Sequence, residues 1–378
     1  MLRRRWWQLP ALACAALLVV CWTRRWQPDQ RHDHAILISF YHKKRKYCGI
    51  NNFEVNILLR YGEKHNLFFA LPSHNYFGGG RSYVRKEMID AQFENILGYD
   101  IYAIHSRWNI TEMKRIMPND TIFITIVREP SEQFISLFDY TNMEAFHKMN
   151  LTTYVKTVHA NDARMSGYIG YNQMTWDLGL PAGQFQNMTA VQELVDEADK
   201  LFDLVMVTER MPESLMLLRR LLCCELDDLF VLQVNARKPK TNKEVVLDSS
   251  TEKLLRQRLA ADYKLYSHFL HKLDDLVALY GEEQMVQDIA EYNSMSLRKQ
   301  EFCDFKQVPH EINNNAIGYQ SQSNDQLCED VTRGEILYLD KLRLSQKKMV
   351  IKRMTEANKP IPNHLSLQGG FKIEPLIP

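Results

Sequence analysis

The sequence predicts an α/β fold, a central parallel sheet flanked by helices, carried behind an N-terminal membrane anchor helix. Three observations lead there. Short continuous apolar runs, such as 35–41 (AILISFY) and 204–208 (LVMVT), read as buried strands, and each is followed by helical apolar spacing. Repeated alternation of the two signals implies parallel strands joined by crossover helices that cover both faces. Finally, the run 123–127 (FITIV) stops at Arg128-Glu129-Pro130 and a helical pattern begins at once.

The elements follow in order. Arg3, Arg4 and Arg5 precede an apolar run from Trp6 to Trp22, broken by Gln8 and Pro10 and followed by Arg24 and Arg25. A run of about 17 residues is the short end of a membrane span, and flanking tryptophans suit the interface. The expected layout is a cytoplasmic tail at 1–5, a signal-anchor helix at 6–22, a short stem at 23–34 and a luminal domain at 35–378. A cleaved signal peptide is the alternative, since Ala11, Ala13, Ala15 and Ala16 supply small residues.

Within the domain, 35–41 is the first strand, and Val55, Ile57, Leu58 and Leu59 begin a helix expected to end near Gly62. Strand 67–71, helix 88–97, strand 101–104 and a short helix at 113–117 come next. After the strand 123–127, Pro130 suits a first helical position because its missing N–H would be unpaired there. Phe134, Ile135, Leu137 and Phe138 then share one face. Strand 204–208 leads to a helix at 212–222. The stretch 252–300 carries long helical periodicity whose leucines and aromatics, Leu255, Leu259, Phe269 and Leu273 among them, read as core.

Composition excludes some functions. With 378 residues and 45% hydrophobic content the chain builds a sizeable core. A formal net charge of +1 is not that of a nucleic-acid protein, so an anionic ligand must be met by a local cluster of cations. Sequons at Asn109, Asn119, Asn150 and Asn187 agree with a lumen. Of seven cysteines, Cys14 and Cys21 lie in the apolar run, and none has zinc-ligand spacing. No metal site is expected.

Two cationic segments carry the chemistry. Arg128 stands at the carboxyl end of a strand beside a helix N-terminus, where α/β sheets bind ligands and helix amides favour anions. The segment 41–52 (YHKKRKYCGINN) places five basic residues, His42 and the four cations at 43–46, between a strand and a helix. That is the position of a phosphate-cradling loop, although G-x-x-x-x-G-K-[ST] is absent. A salt-bridged arginine and a solvated basic turn are the structural alternatives. Ser136, eight residues past Arg128 and on the second helical turn, adds a hydroxyl. His105 ends the strand 101–104, and an imidazole there suits a general base; a hydrogen-bonded core histidine is the alternative.

These motifs resemble those of Golgi carbohydrate sulfotransferases, and most closely the galactose-3-O-sulfotransferase family. The similarity runs through NILLRYGEKHNLFFALP at 56–72, MPNDT at 117–121, IVREPSEQFIS at 126–136 and YNQMTWDLGL at 171–180. It continues through VTERMPESLMLLRRLLCCELDD at 207–228 and IGYQSQ at 317–322. The resemblance implies a P-loop-type sulfotransferase fold and 3′-phosphoadenosine 5′-phosphosulfate as donor, with no metal. It assigns the donor's 3′-phosphate to Arg128 and Ser136. Its 5′-phosphosulfate goes to the 42–53 loop through Lys43, Lys46, Gly49, Asn51 and Asn52. His105 becomes the base, and Lys43 stabilises the leaving phosphate. Trp176 and Asp177, with Arg107, become acceptor-pocket residues; a packed aromatic with a capping aspartate is the alternative for the first two. Cys303 and Cys328 resemble two late family cysteines and are expected to pair.

The implied reaction is sulfuryl transfer to the 3-hydroxyl of a terminal galactose, on a galactosylceramide-like glycolipid or a glycoprotein glycan. The implied place is the Golgi membrane, single-pass type II, with the domain in the lumen; expected partners are galactosides, that membrane and a second copy of the chain. One departure stands out. The family loop reads like K-T-H-K-T-A-S-S-T, whereas here KRKYC follows His42-Lys43 and GINNF replaces the hydroxyl-rich stretch. The alternative reading is therefore a catalytically impaired relative that binds glycans. A P-loop phosphotransferase lacks its lysine–hydroxyl pair here, and a metal-dependent glycosyltransferase its D-x-D.

Overall fold

Of the 378 residues, the computed structural model describes 36–38, 51–73, 77, 82–90, 98–158, 169–232, 247–309 and 317–356. Four strands form one sheet: β1 (Ile36–Ile38), β2 (Ile101–Tyr102), β3 (Ile122–Val127) and β4 (Leu204–Val207), in the order β2-β1-β3-β4. Every pairing is parallel, with Ile36 level with both Ile101 and Ile122, and Ile124 level with Leu204. From β1 the chain moves outward to β2, then returns past β1 to β3. The order reverses there, so a crevice opens beyond the carboxyl ends of β1 and β3.

Helices outweigh this small sheet among the described residues. In chain order they are α1 (Asn51–Lys64), α2 (Ile110–Ile116), α3 (Pro130–Tyr140), α4 (Met143–His147), α5 (Leu151–Thr157), α6 (Gln173–Asp177) and α7 (Met188–Leu201). Then come α8 (Met211–Leu222), α9 (Ser249–Arg258), α10 (Ala260–Tyr280), α11 (Glu282–Cys303), α12 (Gln326–Thr332) and α13 (Glu335–Glu356). A separate antiparallel pair, β5 (Lys306–Pro309) with β6 (Ile317–Gln320), precedes α12.

Several expectations change in detail. The run 67–71 is no full strand: Phe69 makes one parallel bridge to Ile101. Its other side is closed by the Gln346 side chain, which accepts from Phe69 N at 2.6 Å and donates to Phe69 O at 3.3 Å. A side-chain amide thus stands where a neighbouring strand would pair, and the edge is blunted. Helix α1 continues past Gly62 to Lys64. Glycine is needed there because an added Cβ would lie 2.3 Å from Cζ of Phe69. The periodicity of 252–300 divides into α9, α10 and α11, and Gly281 makes the second break at φ 97°. Of the helix expected at 88–97, residues 91–97 lie outside the described residues, and 86–88 form a 3-10 turn. Segments 1–5, 6–22 and 23–34 also lie outside them. Among the described residues no helix is long and apolar enough to cross a membrane.

The C-terminal elements brace α1. Asn56 Nδ2 donates to Asp330 O at 2.8 Å and its Oδ1 accepts from Arg60 Nε at 2.8 Å. The Arg60 guanidinium continues to the carbonyls of Phe230 and Asp228. Burial pushes the Arg60 pKa down, against the opposing pull of Tyr338, Asp228 and Asp330. On the next turn Glu63 accepts from Tyr338 Oη and Lys341 Nζ, both at 2.7 Å. Cys303 at the end of α11 is bonded to Cys328 in α12, with Sγ–Sγ 1.93 Å. Cys223 is exposed and closes α8 in the left-handed region at φ 51°. Cys224 is buried, and desolvation pushes its thiol up to about 12.

Candidate functional site

The last turns of the strands and the first turns of the following helices meet at one edge. β3 is central and β-branched (IFITIV), and residues 124–127 are buried. Arg128 is the first residue beyond it. Pro130 begins α3 at N1, and Glu129 caps that helix by accepting from Glu132 N at 2.7 Å. Glu129 is itself held: its N–H donates to Glu209 Oε1 at 3.0 Å, and Tyr263 of α10 donates its hydroxyl to Glu129 Oε1. Desolvation, reinforced by that bond, pushes Tyr263 up to about 12, so it remains a donor. The same hydroxyl lies 2.7 Å from Ser131 Oγ.

Arg128 has its backbone N–H directed at Met174 Sδ, 3.4 Å away. Its side chain is 21% exposed, and Nη2 is 3.8 Å from Oε2 of the exposed Glu132. A pair at that distance and exposure holds the guanidinium weakly. An anion at the α3 N-terminus meets a positive group there. Ser136 is buried on the same helix, and 1.5 Å per residue puts it about 9 Å along the axis from Pro130.

His105 follows β2. It is buried, with Nε2 3.2 Å from Glu335 Oε2 at the start of α13. Sequence reasoning missed Glu335, because nothing local to residue 335 connects it to residue 105. The two side chains approach each other under cover.

Beyond His105 the chain doubles back across the sheet. Trp108 packs edge-on against Phe123 at the start of β3, with ring centroids 5.5 Å apart. This carries Arg107 away from the carboxyl edge. Its guanidinium donates to the carbonyls of Trp176 (2.8 Å), Gly179 (3.1 Å) and Leu180 (3.0 Å). It also lies between two rings, 3.9 Å from the Tyr83 centroid and 4.1 Å from that of Trp176. Its donors tether segment 176–180, and its two faces lie on Tyr83 and Trp176.

Trp176 is a core residue packed with Leu180, Phe185, Val191 and Ala261, and Arg107 covers its ring. Asp177 is buried and accepts from Gln173 Nε2 at 3.1 and 3.0 Å. Both side chains are buried in this structure.

The remaining expectations fall outside this geometry. Lys43, Lys46 and Gly49 lie outside the described residues, and Asn51 and Asn52 open α1. Three sequon asparagines are helix N-caps through Oδ1: Asn109 to Thr111 N, Asn150 to Thr153 N and Asn187 to Ala190 N. Asn119 is exposed in the turn after α2. Among the described residues no cluster of His, Cys, Asp or Glu has the makings of a metal site.

Residues 29–342 match the model of the galactose-3-O-sulfotransferase family. Mouse galactose-3-O-sulfotransferase 3 is 33% identical over 223 residues, covering 57% of this chain and 51% of that protein. Human galactosylceramide sulfotransferase is 27% identical over 318 residues, covering 75% of this chain and 73% of that protein. Pig galactose-3-O-sulfotransferase 2 is 24% identical over 329 residues, covering 77% and 80%. The chain thus spans about half the length of the first of these relatives.

Proposed function

Because this chain belongs to the galactose-3-O-sulfotransferase family, we propose that it transfers a sulfuryl group from 3′-phosphoadenosine 5′-phosphosulfate to the 3-hydroxyl of a terminal galactose. The acceptor is a glycolipid of the galactosylceramide kind or a glycoprotein glycan. In the balanced reaction the galactose oxygen attacks sulfur and the bond from sulfur to the bridging oxygen breaks. That oxygen keeps the electron pair on the 5′-phosphate, and the hydroxyl proton passes to His105. Lys43 meets the charge developing on the leaving phosphate. The donor's 3′-phosphate lies against Arg128 and Ser136, and its 5′ end against the 42–53 loop and the first amides of α1.

The observation that carries this reading is the place of Arg128: a guanidinium one residue past a central strand, at a proline-initiated helix start. It fits a phosphate that a fork of donors can grip. The domain is proposed to face the Golgi lumen behind the 6–22 anchor, in line with the Cys303–Cys328 bond. Calorimetry with adenosine 3′,5′-bisphosphate tests the donor site. Binding at least about tenfold tighter than that of adenosine 5′-phosphate is expected. Equal binding of the two removes the 3′-phosphate assignment, and no binding of either favours the glycan-binding relative that the altered 42–53 loop suggests.

A further inference from the structure

We propose that Asn119, Asn150 and Asn187 are sites of N-linked glycosylation, and that at Asn150 and Asn187 the glycan shares its asparagine with a helix cap. The inference rests on the luminal placement proposed above. Each opens an N-x-T sequon: NDT at 119–121, NLT at 150–152 and NMT at 187–189. All three asparagines are exposed, as a bulky surface modification requires. The reaction engages the amide nitrogen alone. The anomeric carbon of an oligosaccharide becomes bonded to Nδ2, and its bond to the diphosphate of a lipid carrier breaks. That diphosphate leaves with the electron pair, and Nδ2 gives up one proton.

The cap uses the other atom. Asn150 Oδ1 accepts from Thr153 N at 2.8 Å, and Asn187 Oδ1 accepts from Ala190 N at 3.3 Å. Among the described residues, Asn150 Nδ2 has no hydrogen-bond partner. Asn187 Nδ2 donates to Gln184 Oε1 at 2.9 Å, and an amide nitrogen carries a second proton. A glycosylated amide therefore keeps the oxygen that caps α5 or α7, and one N–H besides. Asn119 caps nothing. It stands in the turn between α2 and β3, ahead of the six-residue strand that leads to Arg128. Such a strand spans about 20 Å, so a glycan on Asn119 stands at the sheet edge opposite Arg128. Asn109 stays outside the proposal: it is half-buried beside the core residue Trp108, and its Oδ1 holds the amides of both Thr111 and Glu112.

The test expresses the full chain in an animal cell line and maps its peptides after peptide N-glycosidase treatment in oxygen-18 water, which converts a glycosylated asparagine to a mass-tagged aspartate. Tags are expected at Asn119, Asn150 and Asn187. Asn119→Gln, Thr152→Ala and Thr189→Ala are each expected to migrate faster on a gel by one glycan step. The side chains of Thr152 and Thr189 make no hydrogen bond among the described residues, so these two variants leave the caps whole. Asn150→Asp keeps a capping oxygen without the glycan, whereas Asn150→Gln loses both and is expected to melt at a lower temperature than Asn150→Asp. Equal melting of the two overturns the shared cap. An untagged peptide overturns the proposal at that site when protease protection in sealed microsomes places the domain in the lumen. If protease added outside the microsomes digests the domain, the luminal placement fails and the proposal fails with it.

Discussion

Asn172 and Asp262 clasp each other across the junction of α6 and α10. Asp262 N donates to Asn172 Oδ1 at 3.1 Å, and the Asp262 carboxylate accepts from Met174 N and Thr175 N at 3.1 and 2.8 Å. Asn172 sits at φ 56°, a left-handed conformation that asparagine tolerates, and its Nδ2 reaches Arg258 O at 2.8 Å. This clasp seats Met174 under Arg128 and Trp176 under Arg107.

A pH dependence follows from the clasp. Burial pushes the Asp262 carboxyl up from 3.8 to about 7, against the pull of its two backbone donors. The folded chain therefore holds this proton more tightly than the unfolded one. Its contribution to stability is full below the unfolded pKa and is lost as pH rises to about 7. Urea unfolding from pH 4 to 8 is expected to show the native chain losing stability relative to Asp262→Asn up to about pH 7 and running parallel above it. A constant difference throughout contradicts this.

Parts of this were legible in the sequence because they are local. The end of β3 at Arg128 and the start of α3 at Pro130 follow from one apolar run and one proline. The Arg107–Trp176 stack was not legible, because a tryptophan that covers a sugar and one that lies under an arginine look alike in a linear pattern. Asn187 is a sequon by its sequence, and its second use, capping α7, starts a helix whose Val191, Val195 and Ala198 have helical spacing. Gln346 and Glu335 act on residues far away in the chain, beyond the reach of periodicity.

Arg107→Lys should act on stability. Lysine cannot reproduce the fork that reaches Trp176, Gly179 and Leu180. Loss of buried hydrogen bonds of this kind is expected to lower unfolding free energy by about 1–3 kcal/mol. Acceptor KM should hold near native at a temperature where the variant remains folded. A raised acceptor KM with native stability would return Arg107 to the sugar.

Arg128→Lys should act on the donor. Binding of adenosine 3′,5′-bisphosphate is expected to weaken about 10–100-fold, with adenosine 5′-phosphate little affected. Equal loss for both ligands contradicts the assignment.

The Cys303–Cys328 bond closes a loop with a sequence separation of 25. Replacing both cysteines by alanine is expected to lower stability by about 3 kcal/mol in the chain-entropy view. Non-reducing peptide mapping that finds both thiols free in the folded chain would contradict the bond itself.

His105→Gln should fold and bind the bisphosphate while losing turnover about 10²–10⁴-fold, the usual span for a general base. Near-native turnover would move the role to another side chain, with His42 the next to examine.

The central claim is tested most directly by incubating the full chain with sulfur-35-labelled 3′-phosphoadenosine 5′-phosphosulfate and a panel of galactosides that includes galactosylceramide and a galactose-terminated glycan. Linkage analysis of the labelled product follows. The account predicts sulfate on the 3-hydroxyl of the terminal galactose of at least one acceptor, abolished in Arg128→Ala. A folded chain that labels none of them, or that places sulfate at another hydroxyl, contradicts it.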